Sequence, residues 1–248
     1  MSLYEHLAPV YDELFPVNPE TIAFLVRLLE GRTAEARILD LGAATGGHAL
    51  ALARLGASVT ALEPSTELAA IARRRVAADN LRLSLIEDDL RRIDRLVPRA
   101  SFDLVLCLGN TLPHLSNLEE VEAFLGSASR ILKPGGSLVI QLVNYSLIGP
   151  GHSFPEIKSG STVFKRTYVE AGSGRLGFDT ELDLGDGGLF SDRTELFPIF
   201  PDALAEASSK AGFRQIRCFS SWEGGDFVIT KNPFLILVAE IFDGLTPI

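Results

Sequence analysis

The sequence predicts an α/β fold in which a mostly parallel β-sheet carries helices on both faces. The first observation is a βαβ pattern over residues 37–64, where two apolar runs flank a glycine turn and a helical period. The second is that strand and helix patterns continue to alternate up to residue 148, which is typical of a parallel sheet. The third is a group of β-rich runs separated by Gly-rich turns, which predicts an inserted antiparallel β meander over 149–199.

The turn of the βαβ unit predicts a ligand site. It contains Gly42 and Gly46, which can adopt positive φ angles and let a ligand approach the backbone, while the first N–H groups of the next helix favour a polar or anionic group. Glu63 ends the second strand about 20 residues later, where dinucleotide-binding units place a carboxylate on ribose hydroxyls. An adenosine-like ligand is therefore expected, although a βαβ turn that binds no ligand would explain the glycines alone.

The spacing of the turn indicates which ligand. A phosphate-binding loop requires the lysine of GxxxxGK[ST] and a nicotinamide site has GxGxxG, whereas this turn reads GAATGG. With the preceding acid, the run resembles motif I of the class I S-adenosylmethionine-dependent methyltransferases, an acidic residue followed by GxGxG, with Ala44 at the middle glycine. The resemblance implies a Rossmann-like, seven-stranded methyltransferase sheet whose last strand is antiparallel, and S-adenosylmethionine as the cofactor. The cofactor-binding residues that it implies here are Asp40, Gly42, Ala43, Ala44, Gly46, Glu63 and Pro64.

The charge and cysteine content narrow the classes of partner. The net charge is −9, from 23 basic and 32 acidic residues, so a nucleic acid would be repelled on average and a small-molecule substrate is favoured. Cys107 and Cys218 do not form a metal cluster by themselves, and two cysteines do not suggest a disulfide-stapled secreted domain. The N-terminus lacks the basic and apolar regions of a signal peptide, and no apolar run reaches membrane-spanning length. A cytoplasmic protein with no metal and no membrane contact is expected.

The apolar pattern of residues 1–31 predicts two helices, separated between Pro16 and Pro19. In the methyltransferases that the chain resembles, an N-terminal helical lid with the pattern Y…A..YD covers the cofactor pocket, and its tyrosine can reach the methionine carboxylate. Tyr11 matches that position and is a candidate for cofactor binding and catalysis, with Tyr4 as the second candidate. The alternative is that both tyrosines are packing residues of an amphipathic helix.

A third strand, 81–86, is also followed by acids. Asp88 and Asp89 are candidates to accept a hydrogen bond from an adenine amine, and the N–H of Leu90 can donate to a ring nitrogen. Since the carboxyl ends of parallel strands meet at one edge of a sheet, these acids are expected beside the glycine turn. The alternative is an ordinary acidic loop.

The fourth strand, 101–108, leads into the run LGNTLPHL. This run resembles motif IV of small-molecule N-methyltransferases of the glycine and sarcosine type. The resemblance places Leu108 and Gly109 beside the cofactor, and Asn110, Thr111 and His114 around the sulfonium or the acceptor. His114 is a candidate catalytic base, and a capping or packing histidine is the alternative.

The rest of the sheet follows a helix over 121–132. A turn, Lys133-Pro134-Gly135-Gly136, precedes a fifth strand over 137–143. Asn144 and Tyr145, at the carboxyl end of that strand, are candidate acceptor contacts. A helix over 200–213 and two closing strands, 215–220 and Phe234–Ile241, complete a cofactor-binding domain over 32–148 and 200–248.

The inserted segment, 149–199, contains three β-rich runs over Thr162–Glu170, 176–184 and Leu189–Leu196. Because it leaves the sheet at the carboxyl edge, we expect it to cap the active site and to supply selectivity. An oligomerisation sheet is the alternative, and a homo-oligomer would form through it. The candidate pocket residues on the meander are Phe164, Arg166, Tyr168 and Arg193.

These motifs predict an S-adenosylmethionine-dependent methyltransferase that acts on a small-molecule acceptor, with nitrogen favoured over oxygen and carbon. Methyl transfer needs alignment of the acceptor and exclusion of water more than it needs a strong base. A non-catalytic protein that binds S-adenosylmethionine for regulation or assembly is an alternative that keeps the same cofactor motifs. An NAD-dependent oxidoreductase would share the βαβ unit but not the glycine pattern.

Overall fold

The computed structural model describes residues 3–78, 81–185 and 188–242. The strands within these ranges are β1 (Arg37–Leu41), β2 (Ser58–Leu62), β3 (Leu83–Ile86), β4 (Phe102–Cys107), β5 (Leu132–Val143), β6 (Ile157–Ser159), β7 (Thr162–Glu170), β8 (Leu176–Asp183), β9 (Leu189–Leu196), β10 (Phe213–Phe219) and β11 (Phe234–Ile241). The α-helices are α1 (Leu3–Leu7), α2 (Tyr11–Leu14), α3 (Pro19–Leu28), α4 (Gly47–Arg54), α5 (Thr66–Ala78), α6 (Ile93–Leu96), α7 (Leu118–Ile131) and α8 (Pro201–Lys210). None of these helices has both the length and the apolar composition required to cross a membrane.

The main sheet has seven strands in the order β10-β11-β5-β4-β1-β2-β3. Strands β1 to β5 are parallel to their neighbours within this group, and β11 is antiparallel to both β5 and β10. The predicted seven-stranded sheet with an antiparallel last strand is confirmed. The strand order reverses between β1 and β4, so a crevice opens at their carboxyl ends, where open α/β sheets bind ligands.

Helices cover both faces of this sheet because its central strands bury alternate side chains on opposite sides. In β1, Ile38 belongs to one hydrophobic cluster, while Leu39 and Leu41 belong to the other. The cluster around Ile38 includes side chains of α3 and α4, and the cluster around Leu39 includes side chains of α7 and α8. Near-continuous apolar strands are typical of parallel sheets that are buried on both faces.

Three boundaries differ from the sequence-based expectation. The helix expected over 121–132 begins at Leu118, because the side chain of Asn117 accepts a hydrogen bond from the backbone N–H of Glu120 at 2.9 Å. The predicted turn over 133–136 lies inside β5 as a bulge, where the pairing with β4 jumps from Leu132 to Ser137. The first helix of the N-terminal segment is divided into α1, a 3₁₀ turn and α2.

The inserted meander is a separate antiparallel sheet of four strands in the order β6-β7-β8-β9, so one strand, β6, was not predicted. Two hydrophobic clusters attach this sheet to the rest of the chain. One joins Tyr145, after β5, to Tyr168 on β7, and the other joins Leu7 and Leu14 of the N-terminal segment to Phe164. One face of the meander is thus packed within this chain, against both the sheet edge and the N-terminal segment.

Candidate active site

A cavity of about 940 Å³ lies at the carboxyl edge of the main sheet, between the N-terminal segment and the meander. Its size is in the range of small-molecule and cofactor sites. The cavity collects most of the residues that the sequence singles out. The predicted site residues that line it are Tyr11, Asp40, Gly42, Ala43, Ala44, Glu63, Pro64, Asp89, Leu90, Leu108, Gly109, Asn110, Thr111 and His114, with Phe164, Arg166 and Tyr168 of the meander.

The glycine turn after β1 is held by the carboxylate of Glu63. One oxygen of this carboxylate, Oε2, accepts the backbone N–H of Ala44 at 2.7 Å, and Oε1 accepts that of Ser65 at 2.9 Å. Ala44 has a φ of +50°, in the left-handed region that favours glycine, so the alanine is held in an unfavourable backbone conformation. Glu63 therefore shapes the turn as well as facing the cavity.

Glycine is required at position 42 because Thr111, in the loop after β4, lies very close to it. A Cβ built on Gly42 would lie 2.6 Å from Cγ2 of Thr111, which is far inside van der Waals contact, and the φ of Gly42 is +70°. The hydroxyl of Thr111 donates to the backbone carbonyl of Leu108 at 2.6 Å, which restricts the rotation of that side chain. The turn after β1 and the loop after β4 are thus in direct backbone-to-side-chain contact.

Two carboxylates, of Asp40 and Glu63, are buried at this edge. Burial, together with the charge of Glu63, raises the pKa of Asp40 to about 7. Burial also raises the pKa of Glu63, and the N–H groups of Ser65 and Ala44 oppose that change. Among the described residues no basic side chain pairs with either carboxylate. Buried acceptors without a cation suit neutral hydrogen-bond donors such as ribose hydroxyls, so these residues fit an adenosyl cofactor.

The acids after β3 divide between two roles. Asp89 lines the cavity, accepts the backbone N–H of Arg91 and forms an ion pair with its guanidinium at 2.8 Å. Asp88 lies outside the cavity lining and pairs with Arg92 at 3.0 Å, so the structure does not bring it to the cavity with Asp89. Gly46 is also outside the lining: it precedes α4 with a φ of +81°.

Asn110 connects three parts of the protein. Its Nδ2 donates to the hydroxyl of Tyr145 at 2.9 Å and lies 3.3 Å from that of Tyr168 on β7, while its Oδ1 accepts the N–H of Val143. The φ of Asn110 is +63°. Burial raises the pKa of both tyrosine hydroxyls, which are 3.2 Å apart, so neither supplies a phenolate at neutral pH. Tyr145 contacts the loop behind the cavity lining rather than the cavity itself.

His114 lines the cavity as a neutral imidazole. Burial lowers its pKa and the charge of Arg91 lowers it further, while the charge of Asp89 acts in the opposite sense. Its position is fixed through the backbone, because its carbonyl accepts a hydrogen bond from the Arg91 guanidinium at 2.9 Å and its N–H donates to Thr111. A neutral imidazole at this place is able to accept a proton.

Like Tyr145, the predicted acceptor contacts Asn144 and Arg193 are not brought to the cavity by this structure. Asn144 is fully buried outside the cavity lining, and its Nδ2 donates to the carbonyls of Ile229 and Asn232, both at 2.8 Å. Arg193 also lies outside the lining, where its guanidinium forms an ion pair with Asp179 at 2.5 Å. Asn144 therefore anchors the loop before β11, and Arg193 belongs to the outer face of the meander.

The structure also adds residues that the sequence analysis missed. Gln141 lines the cavity, and its Oε1 accepts the N–H of Gly109 at 2.8 Å. It is the one polar side chain in the run SLVIQLV after Ser137, which is a signal that could have identified it. Asp12 accepts a hydrogen bond from Thr45 at 2.5 Å and forms an ion pair with Arg75, which joins the N-terminal segment to the glycine turn and to α5.

Comparison with known proteins finds similarity to methyltransferases. The family description "Methyltransferase domain" matches residues 38–136, from β1 to the bulge in β5. The chain is 28% identical over 240 residues to the glycine/sarcosine N-methyltransferase of Parasynechococcus marenigrum (strain WH8102), which covers 93% of this chain and 81% of that protein. It is 38% identical over 111 residues to the demethylmenaquinone methyltransferase of Tropheryma whipplei (strain Twist), covering 44% of this chain and 43% of that protein.

The fold is shared with a solved structure, that of the CcbJ methyltransferase from Streptomyces caelestis. The TM-score is 0.80 at 21% identity, over 95% of this chain and 96% of that one. The sequence matches coincide with the strands, the turn and the acids that form the cofactor side of the cavity. Residues 38–136 therefore form a methyltransferase domain, and the chain is an enzyme that uses S-adenosylmethionine.

Proposed function

We propose that this enzyme methylates a nitrogen atom of a small-molecule acceptor. The observation that carries the proposal is the set of groups around Asn110: the imidazole of His114 lines the cavity, and two phenols hydrogen-bond to Asn110 and to each other. His114 is a neutral imidazole with a lowered pKa, and the phenols of Tyr145 and Tyr168 stay protonated. A weak base of this kind suits an amine, which loses its proton easily, better than a hydroxyl group, which needs a stronger base.

One relative, which aligns over 93% of this chain, is a glycine/sarcosine N-methyltransferase, and this similarity supports a nitrogen acceptor. Bound S-adenosylmethionine supplies an electrophilic methyl group on a sulfonium. We infer that Glu63 and Asp89 hold the adenosyl part, that Asp40 and the turn of Gly42 and Ala44 shape its site, and that the loop of Asn110 faces the reacting centre.

We further infer that the N-terminal segment, residues 1–31, acts as a lid and that the meander, 149–199, forms the acceptor wall. Tyr11 and Phe15 line the cavity from the N-terminal side, and Phe15 contacts Phe164 of the meander edge to face, with ring centroids 5.6 Å apart. A lid over an apolar wall excludes water from the acceptor, which methyl transfer requires. Assembly of a homo-oligomer through the meander remains a prediction, for which light scattering of the purified chain is the test.

The nature of the acceptor atom is tested with acceptors that differ in one atom. The enzyme is incubated with methyl-¹³C-labelled S-adenosylmethionine and matched pairs of amines and alcohols on the same carbon skeleton, and the products are identified by NMR. Methylation of the amines, with little on the alcohols, is the expected result. His114→Gln should lower kcat for amines by about 10- to 100-fold if the imidazole accepts the proton. Methylation of the alcohols in preference to the amines would contradict the proposal.

A further inference from the structure

The cavity contains one unusual cation, Arg166 of β7. Its Nε is buried and has no hydrogen-bond partner, although Nη2 donates to the carbonyl of Pro155 at 2.9 Å. The guanidinium lies over the ring of Phe154, 5.2 Å from the ring centroid. Both Arg166 and Phe154 line the cavity. A buried donor without an acceptor is costly in a folded protein, so a group that is absent from the chain itself is expected to satisfy it.

Arg166 also lacks a counter-ion. Within the described ranges no carboxylate lies within salt-bridge distance of it, and burial lowers its pKa, with only Tyr168 acting in the opposite sense. The other guanidinium on the cavity wall, Arg91, is already paired with Asp89 and Glu120. The charge of Arg166 is thus available to a ligand.

The place of Arg166 on the meander indicates which ligand it serves. It is two residues before Tyr168, on the same face of β7, and the Tyr168 hydroxyl lies 3.3 Å from Asn110. Side chains two residues apart on a strand are separated by about 7 Å. The guanidinium is therefore on the acceptor wall, beyond Tyr168, and not among the acids that follow β1, β2 and β3.

The charge balance of the cavity favours a ligand with a single negative charge. Asp40, Glu63, Glu67 and Asp89 also line the cavity, so a doubly charged phosphate monoester would be repelled more strongly than a singly charged carboxylate. A guanidinium presents parallel N–H donors that match the two oxygens of a carboxylate. We propose that the acceptor carries a carboxylate group, which Arg166 binds on the face of Phe154 while the reacting nitrogen lies near Asn110.

This inference rests on the proposed function only in taking the acceptor to occupy the meander side of the cavity. The binding test needs no turnover. Protein saturated with S-adenosylhomocysteine is titrated calorimetrically with acetate, phenylacetate and benzoate, with the corresponding neutral amides, and with inorganic phosphate. Carboxylates should bind, whereas the amides and phosphate should bind at least about 10-fold more weakly.

Arg166→Gln should weaken carboxylate binding by about 10- to 100-fold, and Arg166→Lys, which keeps the charge but loses the paired donors, by less. Lys165→Gln is the matched control, because Lys165 is exposed, points to the other face of β7 and pairs with Glu181. This control should bind carboxylates as the wild type does. Affinity for S-adenosylhomocysteine should be unchanged in all three variants, which also shows that they fold.

A kinetic comparison completes the test. Amino acids are compared with the amines that result from their decarboxylation, and the preference for the amino acids in kcat/KM should disappear in Arg166→Gln through a rise in KM. The inference would be overturned if the protein loaded with S-adenosylhomocysteine bound no carboxylate, or bound the neutral amides or inorganic phosphate as tightly as the carboxylates. It would also be overturned if carboxylate binding were unchanged in Arg166→Gln. Loss of S-adenosylhomocysteine affinity in that variant would overturn it as well, because Arg166 would then belong to the cofactor site. Methylation on oxygen would contradict the proposed function alone and leave the carboxylate site standing.

Discussion

Substitution of Gly42 by alanine would place a methyl group between the turn after β1 and the loop after β4. The new Cβ would lie 2.6 Å from Cγ2 and 2.7 Å from Oγ1 of Thr111. Rotation of Thr111 away from this contact would break its hydrogen bond to the carbonyl of Leu108. Gly42→Ala therefore tests whether the two loops form one rigid unit.

The expected cost has two parts. An alanine at a φ of +70° costs about 1 kcal/mol relative to glycine. Overpacking against Thr111 adds about 1–3 kcal/mol. The free energy of unfolding should therefore fall by about 2–4 kcal/mol. In the double variant with Thr111→Ala, the contact with Cγ2 and Oγ1 is gone, so the two losses should be less than additive by about 1–2 kcal/mol.

The assay is urea denaturation of the four proteins of this cycle, followed by far-UV circular dichroism. Ala44→Gly, in the same turn, is the control, because it removes a Cβ from a position with a φ of +50° and should keep or raise stability. Additive losses in the double variant would refute the packing argument. A Gly42→Ala protein as stable as the wild type would refute the backbone argument as well.

Three further perturbations probe the cofactor side of the cavity. The raised pKa of Asp40, about 7, means that the folded chain binds this proton more tightly than the unfolded chain and loses stability as the pH rises from about 4 to 7. The free energy of unfolding of Asp40→Asn, measured by urea titration, should thus rise by about 1–4 kcal/mol relative to the wild type between about pH 5 and pH 8. An equal dependence of unfolding free energy on pH in the two proteins would contradict this. Glu63→Ala removes the acceptor of two turn N–H groups and should weaken S-adenosylhomocysteine binding by about 1–3 kcal/mol in calorimetry, an unchanged affinity being the contrary result. Asp12→Asn breaks a half-exposed ion pair with Arg75, so the free energy of unfolding should change by less than about 1 kcal/mol. Limited proteolysis of the N-terminal segment should become faster. Cleavage at the wild-type rate would show that Asp12 does not hold this segment in place.

The sheet side of the cavity could be predicted because its geometry follows from the order of parallel strands. The acids Asp40, Glu63 and Asp89 come at or just after strand ends, and such ends meet at one edge whatever the details of packing. The same reasoning did not separate Asp89 from Asp88, because neighbouring residues in a loop point in different directions. Each of the two pairs with a different arginine, Asp89 with Arg91 and Asp88 with Arg92, and only Asp89 lines the cavity.

The meander side of the cavity was less predictable, because it depends on pairing within the meander. Arg166 and Arg193 are both arginines on β-rich runs, but their faces are set by the strand register. Tyr168 pairs with Phe178, which pairs with Thr194, so Thr194 is on the cavity face and Arg193 is on the opposite one. Asn144 was misplaced for a similar reason, since its side chain is held by Ile229, 85 residues later in the chain.

The N-terminal segment contacts both halves of the site. Asp12 accepts a hydrogen bond from Thr45 in the turn after β1, while Phe15 packs on Phe164 of the meander. If this segment opens to exchange a spent cofactor, it uncovers the acceptor at the same time. An acceptor that can take more than one methyl group would then be released between turnovers, so that methylation is distributive and the singly methylated product accumulates before the doubly methylated one.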